Sequence, residues 1–302
     1  MSDAPPWLRR FGVRGLFWRQ YLDWAIINLP VYMQTFLLPL STVFFFFFAA
    51  PTRRTIVANL SAVLPGSSPL SNHFRAFRTL YNFAWTIAEG ATYKLFKTEF
   101  EYEIVGGEYL EQLGRARGAI VITAHMGNYD LGAALFTQKF GRNIRMVRAP
   151  EADSETTQHL TSSLERAGEG AVQVDYNTKG ALLSFDLLHA LRQDEIVSIQ
   201  GDRLTGEVGE TRAQLFDREV QLPTGPFILA RVADVPLFPL FIARCGFRKY
   251  RIIVDPPITV ARTGRNREAD ITAAVDQWCA VLQKVIGQNW DQWFAFTPIF
   301  SA

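Results

Sequence analysis

Between Trp24 and Thr52 the chain carries no charged residue, and inside this stretch lies the run TVFFFFFAAP. A segment like this cannot be a solvated surface helix; it must be covered by protein or by lipid. About 20 mostly apolar residues suffice to cross a bilayer, so its length allows a span. Pro30 and Pro39 complicate that reading, because interior prolines kink or break helices. Basic residues flank the run on both sides, Arg9, Arg10, Arg14 and Arg19 before it and Arg53 and Arg54 after it. Loop charge therefore gives a single span no orientation. A kinked helix or helical hairpin lying in one leaflet, held by basic flanks, satisfies both observations. The competing reading is a buried aromatic helix of a soluble core. A cleaved signal peptide fits poorly, since the apolar part starts late and runs too long.

The remaining composition mostly excludes. A formal charge of +2 over 302 residues provides no polyanion-binding field, which argues against nucleic acid as a partner. Two cysteines, Cys245 and Cys279, do not make a disulfide framework; they fit a reducing compartment and buried structural roles. The four histidines, His73, His125, His159 and His189, show no paired ligand spacing, so no metal site is expected. The chain has no G-x-S-x-G elbow, no P-loop and no dinucleotide fingerprint, which disfavours serine hydrolysis and nucleotide-driven chemistry.

After the apolar run, Ile56, Leu60 and Leu64 share a helical face, Pro65–Pro69 reads as a loop, and Ser71 is placed to cap a second helix. On that helix Phe74, Phe77, Tyr81, Ala84 and Trp85 make one bulky face, which reads as core or as the wall of an acyl-chain groove. From about Phe100 the pattern changes. Short β-rich runs at Gly118–Ala124, Asn143–Ala149, Gly170–Tyr176 and Glu195–Asp202 alternate with helical stretches at Tyr129–Phe140 and Thr178–Arg192. VPLFPLFIARC and KYRIIVDPPI read as two further strands, and Asp270–Ile286 as a closing helix. The pattern predicts an α/β fold with a central, mostly parallel mixed sheet flanked by helices. An N-terminal helical membrane-associated region, 1–99, precedes the α/β domain, 100–302.

In VITAHMGNYDLG, His125 falls just past the end of a strand and a helix begins near Asn128. That edge of an open α/β sheet is where ligands bind. A plain structural account also fits: Gly127 makes the turn, Asn128 caps the helix, and Asp130 favours its dipole. The functional account uses the same residues. An imidazole here can take a proton from a hydroxyl or amine nucleophile, a carboxylate can fix its tautomer, and helix-start N–H groups can stabilise an oxyanion.

Beyond these local readings, the chain resembles the glycerolipid acyltransferase superfamily, whose signature is H-x-x-x-x-D. It is most similar to the branch of late lauroyl/myristoyl acyltransferases of lipid A biosynthesis and mycobacterial mannoside acyltransferases. TRRTIVANLSAVLP, AHMGNYDLGAA, VRAPE, IQGDR, LPTGPFILA and NWDQWFAFTPIF carry the resemblance, in that order. It implies that His125 is the general base and Asp130 its orienting partner. Gly127, Asn128, Arg148, Glu151, Asp202 and Arg203 would then surround the acceptor or the donor headgroup. From the residues alone, Asp202–Arg203 also reads as a surface salt bridge, and Arg142, Arg145 and Arg148 as one edge of a strand or as a phosphate-binding set. Thr224 reads as the cap of a helix starting at Gly225–Pro226.

The implied activity moves a fatty acyl group from an acyl carrier protein or coenzyme A thioester to a hydroxyl of a lipid or glycolipid. No metal or cofactor is needed, and the work is done on the cytoplasmic side of a bacterial inner membrane. The end of the chain, FTPIFSA, lacks the basic residues that often follow the closing Q-W of lipid A enzymes, so lipid A is not singled out as acceptor. A thioesterase or lipid hydrolase using the same base on water, and a non-catalytic lipid-binding membrane protein, remain as alternatives.

Overall fold

The computed structural model describes residues 16–151, 154–178, 180–205, 208–263 and 266–300. Arg9, Arg10 and Arg14 lie outside the described residues. Four helices come first: α1 (Leu16–Asn28), α2 (Val31–Phe48), α3 (Ala50–Val63) and α4 (Pro69–Phe96). Pro30 separates α1 from α2, whereas Pro39 is accommodated inside α2. The cap of α4 is Ser68 rather than Ser71. Ser68 precedes Pro69, which suits the first helical position, and its side chain accepts a hydrogen bond from the Ser71 N–H at 3.2 Å.

A strand not anticipated from the sequence, β1 (Glu101–Val105), and helix α5 (Gly107–Arg115) lead into the alternating part. There β2 (Ala119–Thr123), α6 (Tyr129–Phe140), β3 (Ile144–Arg148), α7 (Ser154–Ala167), β4 (Val172–Tyr176), α8 (Ala181–Arg192) and β5 (Ile196–Gln200) follow one another. An antiparallel hairpin, β6 (Glu210–Leu215) and β7 (Arg218–Pro223), interrupts the alternation before α9 (Gly225–Ala233). The chain closes with β8 (Leu237–Gly246), β9 (Lys249–Val254), α10 (Arg267–Gln288) and a short 3₁₀ turn at Trp290–Gln292.

The main sheet has seven strands in the order β1-β9-β8-β2-β5-β3-β4. All pairs are parallel except β8 with β9, so the sheet is mostly parallel and mixed as expected. All five residues of β2 are buried, as a central strand covered on both faces requires. Its side chains alternate between two cores. Ile120 and Ile122 pack with Phe227, Phe241, Trp278 and Leu282, while Ala119 and Val121 pack with Leu113, Phe136, Met146 and Phe238. Of the two free cysteines, Cys279 is buried as expected, but Cys245 is exposed near the end of β8.

This topology positions the site. Thr123, the last residue of β2, pairs in register with Gln200, the last of β5. Two residues beyond each partner stand His125 and Asp202. Parallel strands in register thus deliver an imidazole and a carboxylate, 77 positions apart in sequence, to one point of the sheet edge.

Candidate active site

The His125 ring is held at Nδ1, 2.7 Å from Asp202 Oδ1. Because an ionised carboxylate only accepts, neutral His125 carries its proton on Nδ1 and leaves the Nε2 lone pair to receive another. Asp202 is fully buried, and its second oxygen accepts the Trp293 indole N–H at 2.9 Å. Burial alone would raise the Asp202 pKa, yet His125, Arg203 and Trp293 together hold it well below the usual carboxylate range. Burial lowers the pKa of His125, Asp202 opposes that effect, and Arg203 and Arg148 add to the depression, so that the net shift is downward. Near neutral pH the imidazole is therefore unprotonated and ready to act as a base. Its side chain remains 17% exposed, so a substrate proton can reach it.

The sequence-based pairing of His125 with Asp130 is not what the structure shows. Asp130 lies in the first turn of α6 and faces two cations instead, Arg148 Nη1 at 2.6 Å and Lys94 Nζ at 3.2 Å. Despite a burial effect in the opposite direction, these partners bring its pKa down to about 2. Lys94, contributed by α4, is pushed down by burial, while Asp130 holds Arg148 above its ordinary value against the same burial effect. Tyr129 touches a member of each group. Its ring meets His125 edge-on, with centroids 6.5 Å apart, and the Arg148 guanidinium lies 5.4 Å above its centre.

The loop between β2 and α6 is fixed from three sides. Gly127 has φ +51, and a Cβ there would sit 1.6 Å from the Ile242 carbonyl oxygen, so no other residue fits this turn. Asn128 caps α6 through its side chain, which accepts from the Leu131 N–H at 3.3 Å, and its own N–H donates to Ile242 O on β8. Its amide also donates to Tyr250 Oη and to Thr86 O of α4. Tyr250 in turn donates to buried Glu89 of α4, which also accepts from Arg244 Nε and from the Arg248 N–H. The C-terminal segment grips the third side: Phe294 N–H donates to His125 O at 2.8 Å, and Gly127 N–H to Gln292 O at 3.1 Å. Gly127 and Asn128 thus have defined structural roles in shaping the loop.

The other expected residues divide. Asp202–Arg203 is no surface salt bridge, because Asp202 faces His125 while Arg203 donates to Phe294 O at 3.0 Å and ties the same loops together. Glu151 accepts from Arg19 of α1 at 3.2 Å, and its charge is felt at Tyr129 and Arg148. Arg142 is spent on backbone carbonyls of residues 113, 114, 116 and 194, and Arg145 pairs with Glu195 and Asp175. Thr224 precedes α9 as expected but makes no capping bond with its side chain. Lys94, Tyr129, Gln292 and Trp293 were not singled out by sequence. Tyr129, in the AHMGNYDLGAA block, and Gln292 and Trp293, in the closing Q-W element, had a signal as members of those blocks; Lys94 had none.

A half-buried base oriented by a carboxylate, set where a sheet edge meets a helix start, is suited to the chemistry of acyl transfer. The family described as bacterial lipid A biosynthesis acyltransferase matches residues 10–301. The chain belongs to this family. No curated protein matches it significantly. As a member of the lipid A acyltransferase family, which is typically membrane-associated, the chain is supported as a lipid acyltransferase in general terms. The described residues include one helix, Val31–Phe48, long and apolar enough to cross a membrane.

Proposed function

We propose that this chain is a membrane-associated O-acyltransferase of a bacterial inner membrane, working on the cytoplasmic side. It transfers a fatty acyl group from an acyl carrier protein or coenzyme A thioester to a hydroxyl of a lipid or glycolipid acceptor. The reading rests on the His125–Asp202 geometry. With Nδ1–H bound to Asp202, His125 Nε2 removes the acceptor hydroxyl proton as the oxygen attacks the thioester carbonyl. The C–S bond then breaks, an ester forms, and the thiolate recovers a proton from the imidazolium that Asp202 stabilises.

The first-turn N–H groups of Tyr129 and Asp130 have no intrahelical partner and supply positive potential for the tetrahedral oxyanion. A thioester is already activated, so this scheme draws on no metal, cofactor or nucleotide. Asp130 bridges Lys94 and Arg148 beside the site rather than orienting the base. Arg148, Glu151 and Arg203 border the acceptor or donor headgroup.

The direct test is lipid mass spectrometry of a deletion strain complemented with wild type or His125→Ala. Wild type restores a species one acyl chain heavier, and the variant, though present in the membrane at wild-type level, does not. In the purified system, release of free fatty acid with no acylated acceptor identifies hydrolysis instead and overturns the transferase reading.

A further inference from the structure

We propose that α1, α2 and the first turns of α4 form one continuous surface lying in the plane of a single leaflet, with α2 seating the protein on the bilayer without crossing it. The inference rests on the membrane association argued above and specifies its geometry.

Helix α1 has two opposed faces. Phe17, Tyr21, Trp24 and Ile27, spaced at i, i+4, i+7 and i+10, are all exposed, and the first three rings stack in sequence. Arg19 and Asp23 lie on the other face and bind the α/β part, at Glu151 and at His159 of α7. In α2 Tyr32, Phe36, Leu40, Val43 and Phe47 are exposed at helical spacing, Val31, Phe44 and Phe48 are exposed beside them, and only Leu38 and Thr42 are buried. Helix α1, apolar outward and charged toward the protein, has the form of an interfacial helix, and α2 adds an apolar surface that is covered by protein only along the line of Leu38 and Thr42.

The packing of α2 decides between lying and spanning. Leu38 clusters with Trp85 and Ala88 of α4, and Phe46 meets Phe77 edge-on at 5.6 Å. The middle and the C-terminal half of α2 therefore run antiparallel along α4. Helix α4 is itself built into the catalytic region through Asn82 to Asp291 O, Arg78 to Asp291, Glu89 to Arg244 and Lys94 to Asp130. An 18-residue helix is about 27 Å long, nearly the whole hydrocarbon thickness, so a span would use all of α2. Its midpoint would then carry α4 and these ionic groups into the bilayer core, where charged side chains are strongly disfavoured.

With α2 in the plane, the same groups stay in water. The exposed Leu70 and Phe74, at the start of α4 and beside the C-terminal end of α2, then extend the apolar surface. Bilayer is the occupant that fits. The surface is uncharged from Trp24 to Thr52, has Tyr and Trp at its margin, and is followed by Arg53 and Arg54, suited to anionic headgroups.

Sided cysteine labelling of the full chain tests this. Exposed Cys245 marks the face on which the α/β part sits. In a Cys245→Ser background, Asn28→Cys and Arg54→Cys bracket α2. Right-side-out and inverted inner-membrane vesicles are treated with a membrane-impermeant maleimide. All three positions should react from one and the same face; Asn28→Cys and Arg54→Cys reacting from opposite faces would overturn the proposal.

Independently, Phe36→Ser with Phe47→Ser should lower partition onto phosphatidylethanolamine/phosphatidylglycerol vesicles by roughly tenfold or more, with thermal unfolding unchanged. Unchanged partition overturns the assigned surface. A wild-type chain that stays off vesicles removes the membrane reading altogether, whereas opposite-face labelling removes only the in-plane geometry.

Discussion

Two carboxylates, Asp202 fully buried and Asp130 half-buried, serve different partners near Tyr129. Asp202 extends from β5 onto the His125 ring and the Trp293 indole; Asp130, five residues after His125, is bound by Lys94 and Arg148. The first arrangement fixes a tautomer and leaves a basic nitrogen accessible. The second supplies a shared counter-charge to two cations at the junction of α4, α6 and β3. The nearer residue in sequence is thus the structural partner, and the distant one the chemical partner. A helix starting at Asn128 turns Asp130 away from the ring, whereas parallel register carries Asp202 to it.

The largest expected effect is that of Asp202→Asn. An amide no longer enforces the Nδ1–H tautomer or stabilises the imidazolium, so kcat should fall by roughly 10²–10⁴-fold with the fold intact. Because Asp202 raises the His125 pKa, the variant should also shift the acid limb of the pH–rate profile to lower pH. The wild-type limb should already lie below the ordinary histidine value of about 6.5. Steady-state rates from pH 4.5 to 8 check both.

Asp130→Asn should show the converse pattern. It leaves the half-buried Lys94 and Arg148 without their shared counter-charge, which costs about 2–3 kcal/mol of stability, read from denaturant midpoints. The rate per folded molecule should fall much less than in Asp202→Asn.

Acid titration sharpens the contrast. Asp130 titrates at about 2 in the folded chain and at roughly 4 when unfolded. Its stabilising contribution is therefore complete above about pH 4 and is lost as pH falls toward 2. A shift of this size corresponds to about 2–3 kcal/mol. The difference in unfolding free energy between wild type and Asp130→Asn should narrow over that window.

The smallest effect concerns the Asp202 side. Trp293→Phe keeps the aromatic packing but removes one donor to a buried carboxylate, a loss of about 1–3 kcal/mol. Burial then raises the Asp202 pKa with less opposition, so the rate should fall about tenfold and recover least at the acid end. Initial rates across the same pH range measure this.

Much of this molecule could be read from local pattern. The alternation of β-rich and helical runs from Gly118 onward carries its own periodicity, and His125 is placed by the end of β2 alone. The pairing of His125 depended on strand order instead. That β2 lies beside β5 is a tertiary fact, so Asp202 was expected at the headgroup and Asp130 at the ring.

The β6–β7 hairpin escaped for a local reason. Phe216 and Asp217 turn it with φ +53 and +57, a conformation usually signalled by Asn-Gly or Asp-Gly. Lys94 escaped because a lone lysine near the end of an amphipathic helix reads as solvated. Its burial comes from α4 lying against α6, which no spacing in the sequence announces.

The central claim, that Asp202 rather than Asp130 orients the catalytic imidazole, is tested most directly by a paired kinetic measurement. Acyl transfer from a labelled thioester to lipid acceptor is timed with Asp202→Asn and Asp130→Asn, each normalised to its folded fraction. The account predicts a loss for Asp202→Asn at least tenfold greater than for Asp130→Asn. A folded Asp202→Asn protein turning over near the wild-type rate, with Asp130→Asn inactive, would contradict it.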